Sequence, residues 1–188
     1  MSTGGATRRV RSATVQDAAR CAEIYAPYVT DTAVSLETVP PTPEQMARRI
    51  AVAVDSHAWL VLTEEDRVVG YAYAGPHRAR PGYRWSCEAS VYLEPGRSRT
   101  GGGRALYEAL FARLAARGYR TVLAGTTLPN EASVGLHAAL GFERVGVFRR
   151  IGWKHGRWHD VAWAQRELTA DAADPGTDRH GEAPAEPR

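Results

Sequence analysis

A chain of 188 residues, 44% hydrophobic and 24% charged, has the length for one domain with a substantial core, and a single domain is the expectation. Its net charge of +3 comes from scattered arginines, with Lys154 the sole lysine, so no basic stripe marks a nucleic-acid surface. No run of about 18 apolar residues is present to form a membrane span, MSTGGATRRVRS lacks the apolar segment of a secretory signal, and Cys21 and Cys87 lack metal or disulfide-framework spacing. The expectation is a cytoplasmic protein with two packed thiols and with neither a membrane nor a nucleic-acid partner.

Residues 1–7 read as a flexible N-terminus, and residues 8–13 as the first strand. Thr14 with Asp17 signals a helix start, the carboxylate facing the exposed amides of the first turn, and the helix runs to about Tyr28. Thr42, Pro43 and Glu44 signal a second start, with proline at the position where its missing N–H is harmless. AWLVLTEEDRVVGYAYAGP reads as an antiparallel hairpin. RWSCEASVYLEP alternates, with Trp85, Cys87, Ala89, Val91 and Leu93 on one face and Ser86, Glu88, Ser90 and Tyr92 on the other, as expected of a strand with one polar face. Leu106, Leu110 and Leu114 then recur every fourth residue until Gly118, the spacing of a helix of about four turns. YRTVLAGTT is a strand, NEASVGLHAALGF a helix closed by glycine, and 142–168 two further strands. After Leu168 the tail TADAADPGTDRHGEAPAEPR has no large apolar residue, and 169–188 is expected to be disordered. The sum over 8–168 is one α+β (mixed α/β) domain, with antiparallel hairpins around a central strand–loop–helix unit.

That unit contains EPGRSRTGGGRALYEAL. Glycines at a helix entrance have two readings: a tight turn, or a cradle in which free amides meet an anion. Arg97, Arg99 and Arg104 favour the anion, because cations crowded at a helix N-terminus oppose its dipole unless something negative joins them. No Lys-Ser/Thr follows the glycines, which argues against a P-loop. The mid-chain position after antiparallel strands argues against a dinucleotide fold.

Ser98-Arg99-Thr100-Gly101-Gly102-Gly103 resembles the acetyl-CoA loop of the GNAT superfamily of N-acetyltransferases, Arg/Gln-x-x-Gly-x-Gly/Ala. It departs at Ser98, for which Arg97 is expected to compensate. NEASVGLHAALGFERVG resembles the second signature of the superfamily, about 30 residues on. YAYAGPHRAR, EASVYLEP, LPNEAS and KHGRWHDV extend the resemblance over 8–168 to the phosphinothricin N-acetyltransferase branch. The superfamily implies a central, mostly antiparallel twisted sheet flanked by helices and splayed at the acetyl-CoA-binding strand. The branch implies acetyl transfer from acetyl-CoA to the amino group of phosphinothricin or a relative such as methionine sulfoximine, in a homodimer.

By this resemblance, Val91, Tyr92 and Leu93 hold the pantetheine arm through backbone groups, and Arg99, Thr100, Gly101, Gly102, Gly103 and Arg104 hold the pyrophosphate. Asn130 is either a cofactor contact or a helix cap, and Ser133 joins it one turn on. Glu88 is the expected general base, its carboxylate raised in basicity by burial near Trp85 and Tyr92. His137 stands where the superfamily often has a tyrosine that protonates the leaving thiolate, or else is a packed helical histidine. Arg78, Ala79 and Arg80, with Glu88, Ala89 and Ser90, are the expected acceptor contacts; paired guanidiniums suit carboxylate or phosphinate oxygens.

His155, His159 and Asp160 have a spacing that suggests a metal, but GRW between the histidines reads as a turn and no third ligand motif accompanies them, so no metal is expected. Trp153, Trp158 and Trp163 are expected to pack, to line the acceptor pocket or to form a dimer contact. The competing readings are the same chemistry on another amine, such as a polyamine, and a non-catalytic acyl-CoA sensor on the same scaffold.

Overall fold

The computed structural model describes residues 7–168. Apart from Thr7, the two expected flexible ends, 1–7 and 169–188, lie outside the described residues. Seven strands and four helices follow in the order β1 (Arg8–Ser12), α1 (Ala18–Thr30), α2 (Pro43–Ser56), β2 (Ala58–Glu64), β3 (Arg67–Pro76), β4 (Ser86–Leu93), α3 (Gly102–Ala116), β5 (Thr121–Thr127), α4 (Glu131–Ala139), β6 (Glu143–Lys154) and β7 (Arg157–Glu167). The strands form one sheet in the order β1-β2-β3-β4-β5-β7-β6. Every neighbouring pair is antiparallel except β4–β5, which the α3 crossover makes parallel.

Local chemistry sets the element boundaries. The Asp17 carboxylate accepts from the Thr14 amide at 2.8 Å and takes both Arg11 nitrogens, fixing a single 3-10 turn that leads into α1. Thr42 and Gln45 exchange side-chain and backbone hydrogen bonds across the first turn of α2, with Pro43 as its first residue. Glu65 and Asp66 both have positive φ, the geometry of a two-residue hairpin turn whose twist matches that of its strands.

Two cores sandwich the sheet. On one face Leu106, Leu110 and Leu114, the four-residue repeat of α3, are fully buried against Cys87, Ala89 and Val122. On the other, α1 and α2 place Ile24, Met46 and Ile50 against Trp59, Val61 and Tyr71.

The alternation expected of β4 is present in its odd residues: Cys87, Ala89, Val91 and Leu93 belong to the α3-side core. Two details differ. Trp85 precedes the strand, and the even face, polar at Ser86, Glu88 and Ser90, is covered at Tyr92, which packs edge-on against Tyr25 and Tyr28 because α1 lies over this end of the sheet.

The feature that makes a site is a fork. β4 and β5 pair only at Ser86↔Thr121, Cys87↔Val122 and Glu88↔Leu123. β4 then runs on to Leu93 and β5 to Thr127 without pairing, leaving peptide groups exposed between two central strands.

Candidate active site

Beyond the fork lies a narrow cleft lined by Ala89, Ser90, Val91 and Tyr92 of β4, by Gly125, Thr126 and Thr127 of β5, and by Tyr107, Asn130, Ser133 and His137 from the helices. It brings together much of the expected donor site. The Leu93 carbonyl already accepts from the Tyr28 hydroxyl at 2.6 Å, so this end of β4 is anchored to α1. Asn130 caps α4, its side-chain oxygen accepting from the Ser133 amide at 3.1 Å. The cap uses the oxygen and leaves the amide NH2 for a ligand, so both readings of Asn130 are compatible.

The glycines at the start of α3 have separate duties. Gly101, the N-cap, has φ +79, where side chains are strained. A Cβ on Gly102 would come within 2.8 Å of Leu62 Cδ2, and one on Gly103 within 3.1 Å of Leu136 Cδ2. The close helix packing that these two allow brings the α3 N-terminus down onto the sheet. The first described bond into the helix runs from the Ala105 amide to Gly101 O at 3.0 Å, so the amides before it are the free donors of a helix start. Arg8 fixes the loop by donating to the Thr100 carbonyl at 2.7 Å. These amides, with exposed Arg99 and Arg104 beside them, fit the pyrophosphate of acetyl-CoA, and the fork's unpaired peptide groups fit an amide-bearing arm.

Arg97 does not compensate for Ser98. Its guanidinium binds Glu94 at 2.8 Å and also pairs with Glu64. Glu94 is shared by Arg67, Arg97 and Arg20, with Arg67 the leading cause of a carboxyl pKa lowered to about 2. Of the three cations invoked for the anion, Arg97 is already neutralised by carboxylates beneath the loop.

His137 is buried, with Nε2 at 3.1 Å from the Tyr107 hydroxyl and Nδ1 at 3.4 Å from Thr126 Oγ1. Burial pushes its pKa down to about 4, so the imidazole is neutral at neutral pH. It has one N–H to give and one lone pair to accept with, rather than the charge of an imidazolium. Tyr107, also buried, is the partner that the sequence did not single out.

Glu88 occupies the last paired position before the fork and faces the other side of the sheet. Its partner is His77, whose Nδ1 lies 2.7 Å from Oε1, rather than the expected Trp85 and Tyr92. The Glu88 side chain remains 40% exposed, enough to meet a substrate. Arg78, Ala79 and Arg80 follow His77 on the exposed connection between β3 and β4. Ser90 shares the face of Glu88 and lies directly opposite Tyr73 across the β3–β4 ladder. Ala89 is the exception among the expected acceptor contacts: its side chain is buried in the α3-side core, because neighbouring strand residues point to opposite faces.

The far wall of this side comes from the α1–α2 connection and the β6–β7 hairpin, whose junction the sequence did not reveal. Buried Lys154 donates to the Ser35 carbonyl at 2.6 Å. Its pKa is lowered by burial, against which Glu37 acts. Tyr25 bonds Ser35 Oγ at 2.6 Å and Glu37 at 2.9 Å, and Arg49 grips Glu37 through both nitrogens. His155 Nε2 lies 3.2 Å from Thr32 O and His159 Nε2 lies 3.1 Å from Lys154 O, so each ring meets a different carbonyl. The turn is His155–Gly156 with positive φ at both, and Arg157 and Trp158 of GRW already belong to β7. Trp163 lies over Gly125, whose Cβ would be 3.3 Å from the indole, while Trp153 and Trp158 stack edge-on and remain exposed.

The model of the Acetyltransferase (GNAT) domain family matches residues 10–163. Phosphinothricin N-acetyltransferase of Streptomyces viridochromogenes is 39% identical over 163 residues, covering 87% of this chain and 89% of that protein. L-methionine sulfoximine/L-methionine sulfone acetyltransferase of Salmonella typhimurium is 33% identical over 165 residues, covering 87% of this chain and 96% of that protein. The crystal structure of a GNAT superfamily phosphinothricin acetyltransferase from Sinorhizobium meliloti in complex with acetyl-CoA matches with a TM-score of 0.85 at 36% identity, covering 90% of this chain and 94% of that one. The forked sheet, the glycine-started helix and these relatives agree, and the chain belongs to the GNAT family of acetyl-CoA-dependent N-acetyltransferases.

Proposed function

We propose that the acceptor of this acetyltransferase is a small amino-acid-like compound with an anionic group, of the kind represented by phosphinothricin and methionine sulfoximine. The observation that carries the reading is the position of Glu88. Its carboxylate stands at the fork itself, on the opposite face from the α3 core and next to the loop bearing Arg78 and Arg80. A base there meets an amine approaching a thioester held in the cleft, while the guanidiniums suit a carboxylate or phosphinate on the same molecule.

Acetyl-CoA supplies the activated acetyl group, and the chain's residues handle charge and protons. Glu88 takes the proton that the acceptor's ammonium must lose before its nitrogen is nucleophilic. The neutral His137–Tyr107 pair lies on the cofactor side of the cleft, where its hydroxyl or N–H can give a proton to the departing thiolate.

We further propose a homodimer formed along β6. This edge strand and its hairpin expose Val145, Phe148, Ile151, Trp153 and Trp158, an apolar stripe that water does not favour leaving open. Light scattering of the full chain is expected to give twice the monomer mass; a monomer at micromolar concentration would contradict it.

The acceptor reading is tested by incubating the protein with acetyl-CoA and phosphinothricin or methionine sulfoximine. The expected result is stoichiometric CoA thiol and N-acetyl product. Thiol release with polyamines alone would overturn it.

A further inference from the structure

We infer that His77 is a positioning residue for Glu88, holding one carboxylate oxygen so that the other faces the acceptor amine. The inference rests on the reading of Glu88 as base, and adds to it the residue that orients that base.

The geometry follows from strand register. Gly75 lies directly opposite Glu88 across the β3–β4 ladder, and a Cβ built on Gly75 meets nothing within 4 Å. The position that would ordinarily carry Glu88's cross-strand partner is therefore open space. His77, two residues beyond Gly75, falls on the same face and reaches diagonally to Glu88, placing Nδ1 at 2.7 Å from Oε1. Its side chain is 14% exposed against 40% for Glu88, so the imidazole forms the enclosed half of the pair and the carboxylate the accessible half. Tyr83 meets the ring edge-on at 5.6 Å between centroids and Trp163 at 6.2 Å, so packing from the β3–β4 connection and from β7 fixes its plane.

An ionised carboxylate only accepts hydrogen bonds, so Nδ1 must carry the hydrogen and donate it to Oε1. Oε2 then remains for the acceptor's ammonium, with its direction set by the bond on the other oxygen.

The test is steady-state CoA release with methionine sulfoximine, with kcat and both KM values measured. His77→Phe keeps a ring between Tyr83 and Trp163 but cannot donate. It is expected to lower kcat about tenfold, a fraction of the effect of losing a general base outright, and to leave KM for acetyl-CoA unchanged. His77→Asn, which can still donate, is expected to regain part of kcat, and decides the question if the phenylalanine variant does not fold. In a Glu88→Gln background, His77→Phe is expected to have no further effect, because both changes disable one unit.

A wild-type kcat in both His77 variants would overturn the inference. So would a loss from His77→Phe that persists undiminished in the Glu88→Gln background, since that marks a structural effect. A wild-type rate for Glu88→Gln alone would instead remove the base reading on which the inference rests.

Discussion

On the α3 side of the fork, the groups facing the cleft are largely peptide groups and small residues, held by the helix start and by β4 and β5 themselves. The α1–α2 side is instead assembled from side chains of separate segments: Glu88 of β4 meets His77 of the β3–β4 connection, exposed Arg78 and Arg80 follow it, and Lys154 of β6 meets Ser35. The first arrangement suits a constant ligand, because backbone donors do not change with side-chain substitution. On the proposed function, the second would let acceptor choice be altered residue by residue without disturbing the donor site.

If the two sides differ in this way, substitutions on the acceptor side should alter chemistry and acceptor affinity, and those on the donor side packing and cofactor affinity. The largest effect is expected from Glu88→Gln, which should lower kcat by about 10²–10⁴ with an unchanged melting temperature, checked by thiol release and circular dichroism. Next, replacing both Arg78 and Arg80 by Glu should raise the acceptor's KM by about tenfold to a hundredfold, as losing a charged hydrogen bond or two implies. KM for acetyl-CoA should not move.

On the donor side, Gly102→Val drives a side chain toward Leu62 and should destabilise by about 1–3 kcal/mol, while raising KM for acetyl-CoA. Urea denaturation and cofactor titration report the two effects separately. His137 gives a pH prediction. Its folded pKa of about 4 lies below the ordinary 6.5, so protons bind the unfolded chain more readily. Its stabilising contribution is complete above about 6.5 and is lost as pH falls toward 4, on the order of 3 kcal/mol at about 1.4 kcal/mol per unit. His137→Gln should flatten the melting temperature over that window. The smallest effect is expected from Arg97→Gln: KM for acetyl-CoA near wild type and little change in melting temperature, as for a surface ion pair. A large rise in that KM would return Arg97 to the phosphate site.

The same contrast explains what could be read from the sequence. Leu106, Leu110 and Leu114, the Thr42–Pro43 start and the alternation in β4 encode local periods and caps, and each reappears in the fold. The glycine loop and the Asn130 cap were legible because helix starts depend on local backbone geometry. The covering of Tyr92 on the even face of β4 was not legible, because the helix that packs there lies more than 60 residues earlier, as the bond from Tyr28 to Leu93 shows. The same distance hid the Lys154–Ser35 contact, which joins residues 119 apart. His77 was visible within GPHRAR, but only the pairing of Gly75 with Glu88 reveals which carboxylate it meets. Arg97 was misassigned because charge at a helix start was counted without its partners, Glu64 and Glu94, the first of them on another strand.

The most direct test of the account is the ratio of kcat/KM for methionine sulfoximine to that for spermidine, measured by CoA release with the wild-type protein at saturating acetyl-CoA. An acceptor side built from Glu88, Arg78 and Arg80 predicts a ratio far above one, with N-acetylated amino acid as the product. A ratio below one would contradict it.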